Sequence, residues 1–453
     1  MRDNFALVVP RSAFPLVFVC LISTCLISTR LVSPCHAENW PDFRGPDGQG
    51  RSNAQELPVH WSETENIAWK TAIPGRGWST PVVWENQIWL TTAIEKWPSD
   101  DRKAELLKSE KQPGERQVAE EVALHAQCYD LDSGLLIHDI EVFRHQTPAA
   151  IHKLNSYASP SPTIEEGRVY CHFGAFGTAC LDARSGEVIW RQTLPIQHGV
   201  GPGSSPFLYH DLLVIVCDGM DQQFVAALNK YNGEIAWKTN RPPLSGSDGD
   251  MHKAYCTPLL VNDGTRDQLV IPGAQWVVSY NPETGDPLWQ VHHGRGFSNV
   301  PRPVAANGIV YICTGFGTAQ LVAIRADGSG DVTETNVLWK VAKKVPTMPS
   351  PIIVGDQLYM VDDEGVVSCL DAASGKSLWA GRLGGNFSAS PLFADGRLYF
   401  SSRNGTTTVM EPSATKLEKI AENALDGQFF ASPVPIAGSL ILRTDSHLYR
   451  IGP

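Results

Sequence analysis

Eight times along this chain a small or polar residue precedes a proline and an apolar pair. The copies read "WSTPVV" (Pro81), "SPSPTI" (Pro162), "GSSPFL" (Pro206), "YCTPLL" (Pro258), "VPRPVA" (Pro303), "MPSPII" (Pro351), "SASPLF" (Pro391) and "FASPVP" (Pro433). After the first, successive copies stand about 40 to 52 residues apart, the period of a propeller blade. A second motif recurs between them: "CYDLDSGLLIH" from 128, "CLDARSGEVIW" from 180, "ALNKYNGEIAW" from 227, "SYNPETGDPLW" from 279 and "CLDAASGKSLW" from 369. Each is an apolar run, a polar turn ending in Gly, and a second run closed by an aromatic residue. Units of this size bury their faces only against one another, so the repeat dictates architecture first.

Four strands fit each unit. One starts at the Pro, a turn such as "EEGR" or "ADGR" leads to a second ("RVYCHF", "RLYFSS"), a third carries "ACLD" or "SCLD", and the last ends in Trp. Trp190, Trp237, Trp289, Trp339 and Trp379 occupy that slot, where a large apolar ring packs between neighbouring blades. The final copy supplies three strands, while "NIAWKTAI" (66–73) is a fourth strand without partners and has its own Trp69. Pairing the two closes the ring and removes open edges. The expectation is an all-β fold over 66–453, an eight-bladed β-propeller of four-stranded blades whose last blade is completed by the N-terminal strand. Blade 7 is degenerate, because "MEPSATKLEKI" lacks both Gly and Trp.

Residues 1–37 read as a secretory signal peptide: Arg2 and Arg11, then the uncharged run Ser12 to Thr29, then a small-residue end at Ala37. That implies a periplasmic or secreted protein, with residues 38–65 as an N-terminal arm. The formal charge of −11 becomes more negative by two on cleavage, which repels phosphate backbones and argues against nucleic acid. The cysteines beyond residue 37 are scattered singly, without CxxC, so no zinc site is expected. Cys128, Cys180 and Cys369 share one slot, as small buried packing residues do. A two-residue turn at Ala175-Phe176 would set Cys171 opposite Cys180, which leaves a disulfide open there.

In a four-stranded blade the turns from strand one to two and from three to four share one face of the ring. Turns from two to three, and from blade to blade, share the other. Short turns serve the first face throughout, and every long element is expected on the second. There lie the stretches from His138 to Pro162, Trp190 to Pro206 and Trp237 to Pro258, and the charged insertion 94–122 of blade 1, read equally as a docking element or a solvated excursion. The candidate site residues follow those loops: Trp78, Asn155, His198, Asp248, Asp250, His252, Tyr255, Arg295, Asn299 and Arg302. Converging at the mouth of an axial channel, they would bind a small ligand or a protein segment. Asp248-Gly249-Asp250 resembles half a calcium loop without its remaining ligands, and the histidines lack ligand spacing, so no metal is assigned.

The unit "LDARSGEVIW" and "LDAASGKSLW" resembles the quinoprotein-type (pyrroloquinoline quinone) propeller repeat over roughly 66–453. The opening "NWPDFRGPDGQGRS" is similar to that of exported propellers of planctomycete-type bacteria. The repeat is shared by two better-understood branches. One is the propeller subunit of the outer-membrane β-barrel assembly machinery, which binds envelope proteins and implies peripheral membrane association through a complex. The other is the quinone-dependent alcohol and sugar dehydrogenases, which hold pyrroloquinoline quinone with calcium at the channel mouth. The leading expectation is an exported non-catalytic scaffold recognising a protein or small ligand on its long-loop face, with no cofactor assigned. The alternative is a divergent quinoprotein oxidoreductase. In it Asp250 or Asp248 acts as base, Arg295 or Arg302 pairs with the quinone carboxylates, and Trp78 or Tyr255 stacks on the rings. The adjacent Cys–Cys pair of many dehydrogenases has no counterpart here.

Overall fold

Every proline landmark opens a strand of three or four residues, from Val82–Trp84 in blade 1 to Val434–Ile436 in blade 8. Proline has no N–H for a ladder, so it sits just before the first strand, where none is required. In the computed structural model, which describes residues 39–108 and 115–453, these strands start eight antiparallel four-stranded blades, of which blade 4 gains a short fifth strand in parallel. The chain is an eight-bladed β-propeller. Ile67–Ala72 pairs with His447–Ile451 and completes blade 8. The signal-peptide expectation falls outside the described residues.

The hydrophobic core lies between blades. One cluster joins blades 1 and 2 through Trp89, Leu124, Val169 and Leu181, another joins blades 3 and 4 through Val214, Val225, Leu269 and Val278, and others fill the remaining seams. The Trp slot is the outer clamp of most seams, whereas the Trp289 indole donates to Gln268 of its own blade and blade 7 has no Trp. The indole N–H of Trp69, Trp190, Trp237, Trp339 and Trp379 donates to a backbone carbonyl in the next blade's outer turn, at Leu131, Lys230, Pro282, Ala373 and Ser413. The Gly of that turn lies against the ring. A Cβ on Gly134, Gly233, Gly285 or Gly375 would come within 2.4–2.6 Å of Trp69, Trp190, Trp237 or Trp339. Those glycines also take φ between +69° and +76°. Trp and Gly of the repeat therefore belong to adjacent blades. In blade 1, His138 fills the slot and its Nε2 meets the Arg184 carbonyl of blade 2.

The cysteine slot has a matching cause: Cys128, Cys180 and Cys369 stand directly across from His138, Trp190 and Trp379 on the neighbouring strand. Ala227, Ser279 and Ala323 do the same for Trp237, Trp289 and Trp339. All seven cysteines of the described residues are free and buried. The expected Cys171–Cys180 apposition does not occur. The connection Phe173–Gly177 contains a 3-10 turn rather than a two-residue turn, so Cys171 pairs with Ala179 and Cys180 with Tyr170. The two thiols consequently face different seams.

Two further expectations need correction. The blade 1 strands are ten residues each, Gln87–Lys96 and Glu121–Asp130, so the insertion spans 97–120 rather than 94–122. It carries the helix Asp100–Leu107, and its strand Arg116–Gln117 pairs with Ile151–His152 of the next connection. The short-turn face is also less bare than expected. Between the third and fourth strands of blade 5, residues 326–336 add the strand Gly330–Asp331, which joins Trp289 of blade 4, and the helix Thr333–Asn336.

The arm crosses that same face. Trp40 exchanges two hydrogen bonds with Val83 of blade 1, and the Pro41 carbonyl accepts Ile164 N–H of blade 2. Gln49 accepts Ala305 N–H of blade 5, Gly50 accepts Phe393 N–H of blade 7, and Gln55 accepts Gly438 N–H of blade 8. One strip of chain ties five blades across the axis.

Gly285→Ala and Gly396→Ala separate the clamp from simple backbone strain. Gly396 has φ +71° and open space around a new Cβ, whereas Gly285 has φ +75° and meets Trp237 at 2.4 Å. Urea unfolding should show a loss of about 1–2 kcal/mol for Gly396→Ala from the left-handed conformation alone. Gly285→Ala should lose about 1–3 kcal/mol more from overpacking. Equal losses would contradict the clamp.

Candidate functional site

The residue before each landmark Pro points at the axis. Seven of the eight are Ser or Thr, and their hydroxyl oxygens link blade to blade. Thr80 N–H donates to Ser161 Oγ at 2.9 Å, Ser161 N–H to Ser205 Oγ at 3.0 Å, and Ser205 N–H to Thr257 Oγ1 at 3.0 Å. Past blade 5 the pattern resumes: Arg302 N–H to Ser350 Oγ, Ser350 N–H to Ser390 Oγ, Ser390 N–H to Ser432 Oγ, and Ser432 N–H to Thr80 Oγ1. The ring is interrupted at blade 5, where Arg302 stands in the hydroxyl slot.

Arg302 is fully buried and bound to the arm beneath the ring. Its Nη2 donates to Asp42 Oδ2 at 3.0 Å, its Nε to the Pro258 carbonyl at 2.9 Å, and its Nη1 to the Phe43 carbonyl. Burial pushes the Asp42 carboxyl up while Arg302 pulls it down. This arginine anchors the arm and does not offer its fork to a ligand carboxylate.

Above the ring lies a cavity of about 590 Å³. Phe43 of the arm closes its inner end, all seven ring hydroxyls line it, and its walls come from the long-loop face. Trp78 is stacked on Phe430 at a centroid distance of 4.1 Å and an interplanar angle of 13°, and its indole N–H donates to the Leu154 carbonyl. Phe316, Phe387 and Met348 complete an apolar wall.

Four of the expected site residues line this cavity: Trp78, Asn155, Asp250 and Tyr255. Asn155 is occupied in holding the loop, its Nδ2 donating to the Val200 and Pro202 carbonyls. Tyr255 donates its hydroxyl to the His198 carbonyl. Asp250 is ion-paired with the buried Lys253, whose Nζ also reaches the Asp250 carbonyl. Burial lowers the Lys253 ammonium, and the Asp250 carboxylate opposes that shift.

The other six lie elsewhere. Asp248 is exposed and caps the 3-10 turn Gly249–His252 by accepting Asp250 N–H. His252 lies in that turn without lining the cavity. His198 Nε2 accepts Ala175 N–H at 2.7 Å, which places the ring proton on Nδ1 and keeps the imidazole neutral; burial draws it to about 4. Arg295 is exposed on the blade 4–5 connection. Asn299 is wholly buried and packs against blade 5, its backbone carbonyl accepting Tyr255 N–H. Arg302 lies under the floor.

Two charged lining residues escaped the sequence reading because blades 6 and 7 have short connections. Asp363 accepts Thr347 and Met348 N–H and the Thr347 hydroxyl; burial raises its carboxyl despite these bonds. Arg403 is half-buried, its guanidinium has no hydrogen-bond partner among the described residues, and burial lowers it while the Asp363 charge opposes that shift. The ring hydroxyls carried a signal in plain view, the Ser or Thr of the landmark itself.

Stability should depend on pH through the buried histidines. Burial draws His172 to about 3 and His293 to about 4, and they are 3% and 4% exposed. Below the unfolded value near 6.5 the unfolded chain binds protons that the folded chain refuses, so stability falls as pH falls. Each contributes about 1.4 kcal/mol per pH unit once the unfolded imidazole is fully protonated. Between pH 6.5 and 5, above the main carboxylate range, urea midpoints should drop, and His172→Gln with His293→Gln should flatten the profile. A profile unchanged by the double substitution would contradict the assignment.

A family model described as "Outer membrane protein assembly factor BamB" matches residues 54–239 and 330–419. Tetrathionate hydrolase of Acidithiobacillus ferrooxidans is 24% identical over 256 residues, 53% of this chain and 49% of that protein. The chain thus spans about half the length of that relative. Outer membrane protein assembly factor BamB of Salmonella typhimurium is 22% identical over 343 residues, 65% of this chain and 84% of that protein. Among solved structures, BamB from Moraxella catarrhalis superposes with a TM-score of 0.52 at 14% identity, covering 74% of this chain and 96% of that one. Quinohemoprotein alcohol dehydrogenase from Comamonas testosteroni does so with 0.61 at 11% identity, covering 92% and 80%. At such identities the structural likeness concerns the fold alone.

Proposed function

The chain belongs to the outer membrane protein assembly factor BamB family, and from that premise we propose that it is an exported, non-catalytic binding propeller. Its ligand is a protein segment or small molecule that enters the axial cavity from the long-loop face. The observation that carries this reading is the cavity itself. It is closed at one end by the arm, lined by aromatic rings and hydroxyls, and walled by the loops that vary most in length. A preformed, mostly apolar concavity with a few convergent polar groups is the usual form of a binding site. The leader-like residues 1–37, with a family description that names the outer membrane, support a periplasmic location and peripheral membrane association through an envelope protein.

The alternative of a quinone-dependent oxidoreductase finds little support in the side chains named for it. Arg302 is spent on Asp42 and Phe43, Arg295 does not line the cavity, and Asp250 is engaged by Lys253. One face of Trp78 already carries Phe430.

Photocrosslinking in an exporting bacterium tests the assignment of the face. A crosslinking side chain at Phe316, which is 47% exposed at the cavity mouth, should give a defined adduct with an envelope component. The same group at Lys376, on an outer turn of the opposite face, should give none. Trp78→Glu should abolish the Phe316 adduct while thermal unfolding stays cooperative. Equal adducts from both positions, or an adduct indifferent to Trp78, would contradict the proposal.

A further inference from the structure

A ring hydroxyl has two lone pairs and one proton. At Thr80, Ser161, Ser205, Thr257, Ser350 and Ser432 the oxygen accepts an amide of the preceding blade. No acceptor within the described residues takes the proton of any of the six; Ser390 alone donates onward, to Ser350. All line the cavity. Each of these hydroxyls thus keeps its proton for the cavity beside at most one lone pair, and an amide donating into the oxygen polarises it to donate more strongly.

The charges around this floor are not symmetric. Asp250 is paired with Lys253, and Asp363 accepts from Thr347 and Met348 while its charge also acts on Arg403. Arg403, on the wall, has no hydrogen-bond partner for its guanidinium among the described residues, its Nε is buried, and Asp363 acts on it only through its charge. Behind the floor, Arg302 has Asp42, but among the described residues its neighbour Arg44 has no carboxylate in contact, only the more distant charge of Asp47. Arg44 is 1% exposed and donates only from Nη2, to the Gln49 carbonyl, while Nε and Nη1 are buried without partners. A buried cation without a counter-charge is costly, and an anion nearby relieves that cost.

We infer that the axial cavity receives a carboxylate carried on an apolar body, its oxygens on the hydroxyl ring and Arg403 and its body against Trp78, Phe430 and Phe316. The inference rests on the reading of this cavity as the binding site. The polarised hydroxyl protons and the Arg403 cation favour an anionic acceptor group, and the aromatic wall selects what carries it. The carrier is a free organic acid or the C-terminal end of a polypeptide; the two share one chemistry.

The test is isothermal titration of residues 38–453 with three probes: a short alanine–glycine peptide ending in phenylalanine with a free carboxylate, the same peptide as its C-terminal amide, and 3-phenylpropionate. The free acid should bind at least about tenfold more tightly than the amide, as a charge-assisted bond to Arg403 requires. Arg403→Gln should remove about that factor. The double variant Ser161→Ala with Ser205→Ala should weaken binding, whereas Ser161→Thr with Ser205→Thr should keep it, since threonine already occupies the ring at Thr80 and Thr257. If the alanine pair does not fold, Arg403→Gln and the amide comparison decide alone. Peptide binding without 3-phenylpropionate binding supports a chain end, and binding of both supports a free acid. Equal binding of acid and amide would overturn the inference while leaving the cavity as the binding site. Displacement of the peptide by sulfate as effectively as by 3-phenylpropionate would overturn the apolar body. If no probe binds while the Phe316 crosslink persists, this inference falls and the proposed function stands.

Discussion

The centre of the ring depends on one contact, a side-chain hydroxyl accepting an amide from the neighbouring blade. Blades meet at the axis with their shortest strands, and those strands do not pair with one another as sheet neighbours. Amides there would be buried without partners, at about 1–3 kcal/mol each. A Ser or Thr before each Pro meets the need with the smallest hydroxyl side chains available, and the Pro that follows has no N–H to satisfy. Where the pattern breaks, at Arg302, the chain uses the vacancy to hold the arm through Asp42 and Phe43. The same interruption therefore closes the cavity at one end.

The fold was legible because its strongest contacts are written at fixed spacing. Proline landmarks marked the first strands, and the Trp of each outer strand marked the seams. What the spacing did not reveal was ownership: the Gly of a turn serves the Trp of the preceding blade, as Gly233 serves Trp190. A repeat read one unit at a time cannot show a contact between units. Local errors came from turn geometry, as at Phe173–Gly177, where one extra residue of curvature moved Cys171 out of register with Cys180. The helix and strand at 326–336 were hidden because the surrounding blade keeps its strands and its Trp339.

The site was legible only in part, for a physical reason. Long, polar loops flagged blades 1 to 4 and led to Asn155, Asp250 and Tyr255, while Trp78 was reached by its corresponding position on a short connection. Loop length reports where chain is available, not which side chain turns inward. Arg295 and Arg302 look alike in the sequence, yet one lies on the surface and the other beneath the floor. Arg403 and Asp363 come from short connections that carry no compositional signal, and Phe430 is recognisable only once Trp78 is seen against it. The arm, set apart by sequence as a mere extension, turns out to shape the cavity through Phe43.

The central claim is that the axis holds a one-ended cavity with a donor floor, and a crystal structure of residues 38–453 that resolves ordered solvent measures it most directly. The account predicts Phe43 and the Asp42–Arg302 pair beneath the ring, with water or a bound anion accepting hydrogen bonds from the ring hydroxyls. A channel open through both faces, or an Arg302 guanidinium turned up into the cavity, would contradict it.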